Sequence, residues 1–240
     1  DGASKEVELN APKGLGIADG KLYVTDIDVV RVFDLASGKS VANIKVKGAS
    51  FLNDISVAAD GTIYVSDTRL KAGKTGLEPS KKDAIYTITK KNTAKALIKG
   101  EELKNPNGLL ADDKGVWVVG WGGSVYHVSK EGKKEESTQA PGQMLDGVLQ
   151  TPDGQILVSS WETSTVYAGK PDGTLSPLFA DLKSPADIGF DSKRSLVLVP
   201  QFLENTLQIY TLPTAPAEAA AEPSTQTAAS DKPAEEKPAK

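Results

Sequence analysis

Cysteine is absent from the 240 residues. That removes disulfides, Cys-ligated zinc and thiol nucleophiles together. Histidine occurs once, at His127, so a zinc site built from several histidines is excluded as well. No run of about 18 apolar residues occurs, so the sequence offers no membrane-spanning helix. Basic charge is also in short supply: 28 Lys and Arg stand against 32 Asp and Glu, a net charge of −4. Phosphate binding needs a concentrated basic surface, and this balance argues against nucleic acid as a partner. The chain starts at Asp1, with neither Met nor a signal peptide, and is expected to be processed, trimmed or a fragment.

What is present describes an ordinary folded domain followed by a different kind of segment. Hydrophobic residues make up 39% and charged residues 25%. Residues 213–240 contain no aromatic, Val, Ile, Leu or Met, while nine Ala and five Pro fill half of the 28 positions. Such a stretch cannot bury enough apolar surface to offset chain entropy. The expected organisation is a folded domain over 1–212 and a disordered Ala/Pro-rich tail over 213–240.

The folded part repeats itself. Five segments align: PKGLGIADGKLYVTD from Pro12, LNDISVAADGTIYVSD from Leu52, PNGLLADDKGVWVVGW from Pro106, LDGVLQTPDGQILVSSW from Leu145 and PADIGFDSKRSLVLVPQ from Pro185. Each holds a polar residue after Pro or Leu, a short apolar strand, a turn and a second apolar strand. Two more strand-like runs follow in the first four units, giving four short antiparallel strands per repeat of about forty residues, the pattern of a propeller blade. The fold expected is therefore all-β, a β-propeller with five blades visible. The last unit has three strands, and SKEVEL at 4–9 is expected to complete it and close the ring.

If the first strand of each blade lines the axis and starts at one rim, its opening residue faces a shared mouth. Lys13, Asn53, Asn107, Asp146 and Asp187 then form a polar ring. Carboxylate and amide oxygens converging on one point suit a hard divalent cation, which calcium binds through about 6–8 oxygens. Asn and Asp at strand starts also hydrogen-bond local backbone, which is the competing explanation. The second strands end at the same rim, at Asp26, Asp67, Arg69, Trp121, Trp161 and Phe202. Trp121 and Trp161 would give a sugar-like ligand an aromatic wall, or else serve blade packing. The loop 69–82 carries four Lys and one Arg against one Glu; it is expected on this rim as a lid favouring an anionic ligand, or as a solvated loop. His127 falls in a third strand, expected on a blade face away from the channel, where no catalytic triad would form. The Asp-Gly pairs at 19–20, 60–61 and 153–154 are hairpin turns rather than calcium loops.

FLNDISVAADGTIYVSD, NPNGLL and LDGVLQTPDGQILVSSW resemble the gluconolactonase/regucalcin family, the senescence-marker-protein superfamily, over about residues 3–212. APKGLGI and KLYVTDID are most similar to its exported bacterial members, which implies a periplasmic or secreted location. The resemblance implies six blades and one divalent cation in the channel: calcium, or magnesium, zinc or manganese in its place. Its ligands would be a Glu from the first blade together with Asn53, Asn107 and Asp146. Asp146 would also act as general base. No Glu stands in a suitable context before the first repeat, so the chain is expected to be either a six-bladed protein without its first blade, the favoured expectation, in which Asp187 could serve as a compensating ligand, or a true five-bladed ring. The leading expectation is a calcium-dependent hydrolase of a lactone or similar cyclic ester, with Arg69, Trp121, Trp161 and Lys13 shaping a pocket for a lactone or sugar-like substrate. The alternative is a non-catalytic exported propeller that binds a ligand or a protein. Oligomeric state is not readable from the sequence.

Overall fold

Period-two alternation of apolar residues, interrupted by tight turns, produces short antiparallel strands that share one buried face with the next sheet. The computed structural model describes residues 7–68, 70–74, 76–80 and 83–213. Blade one holds β1 (Pro12–Ala18), β2 (Lys21–Asp26), β3 (Val29–Asp34) and β4 (Ser40–Lys45). Blade two begins with β5 (Leu52–Val57) and β6 (Ile63–Asp67). A separate hairpin, β7 (Leu70–Gly73) and β8 (Gly76–Pro79), interrupts it before β9 (Ala84–Ile88) and β10 (Ala94–Lys99). Blade three comprises β11 (Pro106–Ala111), β12 (Gly115–Gly120), β13 (Ser124–Ser129) and β14 (Lys134–Gln139). Blade four comprises β15 (Leu145–Gln150), β16 (Ile156–Ser160), β17 (Thr165–Gly169) and β18 (Ser176–Phe179). Blade five has β19 (Gly189–Asp191), β20 (Leu196–Gln201) and β21 (Thr206–Thr211) among the described residues. The architecture is the expected five-bladed β-propeller, and no helix among the described residues is long and apolar enough to cross a membrane.

The core is a set of slabs between blades. Val30, Val32 and Ile44 of blade one meet Ile55, Val65 and Tyr86 of blade two. Tyr64 and Ile85 meet Leu109, Val118 and Tyr126, and Val119 and Val125 meet Val148 and Val158. Leu149, Leu157 and Val166 meet Val197 and Val199 of blade five. The two outward faces of the series differ. Leu15 and Ile17 alternate with Gly14 and Gly16, which touch blade two, and are 62% and 60% exposed. On β21, Tyr210 stacks on Phe179 of blade four, whereas Leu207 and Ile209 point the other way and are exposed.

The strand expected at 4–9 lies half outside the described residues. Val7 makes a single bridge, and Val7 and Leu9 pack on Leu22, Val24 and Phe33 of blade one. The expected loop at 69–82 is largely the β7–β8 hairpin. Residues 214–240, the expected tail, lie outside the described residues.

Candidate active site

Each of the first four blades opens with the same defect. The pairing of its two inner strands slips between Pro12 and Leu15, Leu52 and Ile55, Pro106 and Leu109, and Leu145 and Val148. A bulge re-aims a side chain, and the residues inside these four slips include Lys13, Asn53, Asn107 and Asp146. All four line one cavity of about 540 Å³ at the channel mouth, together with Asp54, Asp187, Trp121 and Trp161.

Small residues let the inner strands come this close. A Cβ on Gly108 would sit 2.0 Å from the Asp146 carbonyl oxygen, and one on Gly147 would sit 2.3 Å from the Ile188 nitrogen. In blades one and four a hydroxyl on the second strand then ties the blade to the next. Thr25 Oγ1 accepts from Gly14 N–H (2.9 Å) and donates to Asn53 O (2.5 Å). Ser159 Oγ accepts from Gly147 N–H and donates to Ala186 O, both at 2.8 Å. This alignment corrects the repeat register in blade five. Ala186 is the counterpart of Asn53, and Asp187 is the counterpart of Asp54 and the glycines. The spacing of 41 between Asp146 and Asp187 hides the slip because Pro185 and Leu145 stand 40 apart. Asp187 nevertheless lines the cavity.

Asn107 and Asp146 form the most ordered part of the site. Asn107 Nδ2 donates to Asp146 Oδ1 at 3.0 Å and to Leu145 O at 2.9 Å. Trp161 Nε1 donates to Asp146 Oδ2 at 2.9 Å. With its nitrogen committed, buried Asn107 leaves Oδ1 with no partner among the described residues. An orphaned buried acceptor carries a desolvation cost unless a ligand meets it. Asn53 Nδ2 donates to Thr68 Oγ1 at 2.9 Å.

Burial dominates the electrostatics. It pushes the Asp146 carboxyl up to about 6, against the two donors that favour the charged form. Asp187 is exposed by area yet ringed by protein inside the channel; desolvation and then the Asp146 charge push it up to about 7. Asp54, the residue that sequence reasoning missed, is buried between blades two and three. It accepts from Ile55 N–H and Leu109 N–H, each at 2.6 Å. Burial and then the Asp187 charge raise its carboxyl well above the usual range. The signal for Asp54 was available: it stands where three other repeats have Gly14, Gly108 and Gly147. Lys13 is held below its ordinary value by burial, with Asp26 opposing. Its Nζ donates to Ala11 O at 2.9 Å and lies 4.1 Å from the Phe51 ring centre.

Two rim carboxylates turn out to be structural. Asp26 accepts from Ala11 N–H (2.7 Å), Asn10 N–H (2.9 Å) and Arg31 Nε (3.0 Å). Burial works against its charge, but these donors prevail and hold it below the usual carboxylate value. Asp67 accepts from Phe51 N–H at 2.7 Å in the same way. Neither lines the cavity. His127 is also remote, with Nε2 3.1 Å from Asp112 and its ring edge-on to Trp117. Arg69 lies outside the described residues. Among the described residues no three His, Asp or Glu side chains gather as a metal centre; the candidate set is a mixture of amides and carboxylates.

These features define a β-propeller with a polar cavity at the channel mouth, and its fold is similar to that of several solved propellers. A gluconolactonase from Xanthomonas campestris superposes with a TM-score of 0.65 at 17% identity, over 78% of this chain and 68% of that one. Virginiamycin B lyase from Staphylococcus aureus gives 0.63 at 15% identity, over 85% and 70%. A chain of the nidogen–laminin complex gives 0.64 at 16% identity, over 85% and 81%. No protein-family model and no curated protein matches the sequence. At these identities the likeness establishes the fold.

Proposed function

We propose that the protein is a metal-dependent hydrolase of a lactone or similar cyclic ester, with the channel-mouth cavity as its active site. The observation that carries this reading is the unpartnered, buried Oδ1 of Asn107 beside the doubly anchored carboxylate of Asp146. Oxygen donors alone make up the set, which fits a hard divalent cation. Asn53, Asn107 and Asp146 would hold it, with Asp187 as a fourth candidate; calcium suits the set best, and magnesium, zinc or manganese are alternatives. When bound, such a cation supplies Lewis-acid polarisation of an ester carbonyl.

The chain's own residues supply the remainder. Asp146, held at the cavity wall, would accept a proton from a cavity water. Trp161 Nε1 and Asn107 Nδ2 fix its orientation, and each Asp146 oxygen retains a lone pair beyond its donor. Trp121 and Trp161 form walls for a ring-shaped substrate. A periplasmic or secreted location belongs to the same proposal and rests on the sequence resemblance.

The test is calcium-dependent lactone turnover. Asn107→Ala is expected to abolish it and to weaken calcium binding measured by calorimetry. Absence of any bound calcium, magnesium, zinc or manganese at millimolar concentration would overturn the reading. A binding module is the second reading, favoured by Lys13, a cation on the wall where a metal ion would be repelled. Ligand binding unchanged by a chelator would select it.

A further inference from the structure

We infer that the substrate of this cavity is a neutral lactone carrying an apolar substituent, its ring toward Asn107 and Asp146 and its substituent along Met144, Trp161 and Phe202. The inference rests on the hydrolase reading and narrows it. Among the described residues, Met144 (43% exposed) and Phe202 (60% exposed) are the exposed large apolar side chains that line the cavity. Both adjoin Trp161: Met144 O accepts from Trp161 N–H at 3.1 Å, and the Phe202 ring lies 4.9 Å from that of Trp161. Exposed apolar groups gathered at the mouth of a cavity with a polar floor are the signature of a ligand site.

The same wall disfavours a polyhydroxylated ring. Trp161 Nε1 is committed to Asp146, and Phe202 offers no donor or acceptor, so sugar hydroxyls placed there would lose water without replacement. Charge disfavours an acid. Among the described residues Lys13 is the one cationic side chain lining the cavity, and its ammonium is directed at Ala11 O rather than left for a ligand carboxylate. The anionic and sugar-like ligands expected from the sequence both fit less well than a neutral, greasy one.

The experiment compares kcat/KM for γ-butyrolactone, γ-lactones with progressively longer alkyl chains, and glucono-δ-lactone, using the full chain with calcium. The expected result is a rise of up to about fourfold per methylene that reaches the rim, with gluconolactone the slowest. Phe202→Ala should flatten the rise and Phe202→Leu should restore part of it; Phe202 is exposed, so folding is not at stake. In parallel, binding of the matching 5-alkyl γ-lactams, which resist hydrolysis, is followed by tryptophan fluorescence. A chain-length rise in lactam affinity without lactone turnover supports the apolar subsite and overturns the hydrolase reading. Turnover that is flat in chain length, or that favours gluconolactone, overturns the inference and leaves the hydrolase reading standing. Neither turnover nor lactam binding overturns both.

Discussion

At the residue scale, Asp146 ties the electrostatics of the mouth to stability. Its carboxyl rises from 3.8 to about 6 because burial penalises the charge. A group whose pKa is raised on folding contributes stability that is complete below its unfolded value and is lost as pH rises through the folded value. The chain without divalent cation should therefore lose stability between about pH 4 and 7, by up to about 3 kcal/mol from this carboxylate. Asp187 adds to the same window in the same direction. Thermal midpoints in a chelator, measured across pH 4 to 8 for the parent and Asp146→Asn, check this: the variant should show a shallower decline, the remainder belonging to Asp187. Calcium should restore the parent at neutral pH by mass action. A parent curve as flat as the variant's would refute the assignment. Much of this cluster was legible beforehand, because Asn53, Asn107 and Asp146 recur at one position of a repeat. Asp54 was marked only by standing where other repeats have Gly; its role was hidden, since its partner Leu109 N–H lies 55 residues away, across a blade junction. Asp26 and Asp67 misled for the same reason: a strand-end Asp reads as a mouth residue, and only the folded chain shows the incoming backbone N–H groups that occupy it.

At the element scale, the inner strands approach one another only because glycine or a re-aimed carboxylate stands at the position after each ring residue. Gly108→Ala should be destabilising by about 1–3 kcal/mol, as overpacking generally is, because the new Cβ meets backbone at 2.0 Å rather than a yielding side chain. Gly154, in an open turn with nothing within 4 Å, is the comparison. There an alanine meets only the cost of a positive φ of 83. Urea unfolding of both variants separates the two effects, and Gly108→Ala should also lower lactone turnover, since it pushes directly on Asp146. The strands themselves were readable from period-two patterning, and the starts of all five repeats pair alike, Leu52 with Asp67, Leu145 with Ser160 and Pro185 with Gln201 among them. The ring residue of blade five was misassigned. There the chain has Asp187 where its neighbours have Gly, and a search for the polar residue settled on it rather than on Ala186. Register is fixed by inter-blade bonds such as Ser159 to Ala186, which no local pattern encodes. The bulges that aim the ring side chains are likewise properties of strand pairing.

At the scale of the whole molecule, the five sheets share four apolar slabs, and the outward faces of the first and last blades are left with exposed side chains. Leu15 in blade one corresponds to Ile55, Leu109 and Val148 in the next three blades. Those three are 4%, 4% and 5% exposed, against 62% for Leu15. Equivalent positions in the repeat should therefore differ sharply in what they contribute. Leu109→Ala should cost about 2–5 kcal/mol, the range for truncating a buried Leu. Leu15→Ala should stay within about 0.5 kcal/mol, as exposed substitutions do. Denaturant midpoints for the pair, compared at equal m-values, read the difference directly. Equal losses at the two positions would mean that the outward face of blade one is covered in solution, whether by another part of the chain or by a second molecule, and sedimentation at several concentrations would tell those cases apart. The comparison bears on the site as well. Lys13 sits on the inner strand of blade one, two residues from Leu15, so the rigidity of this edge sets how firmly one wall of the cavity is held. A soft edge would let Lys13 withdraw from the mouth, and Leu15→Ala would then change ligand affinity more than it changes stability.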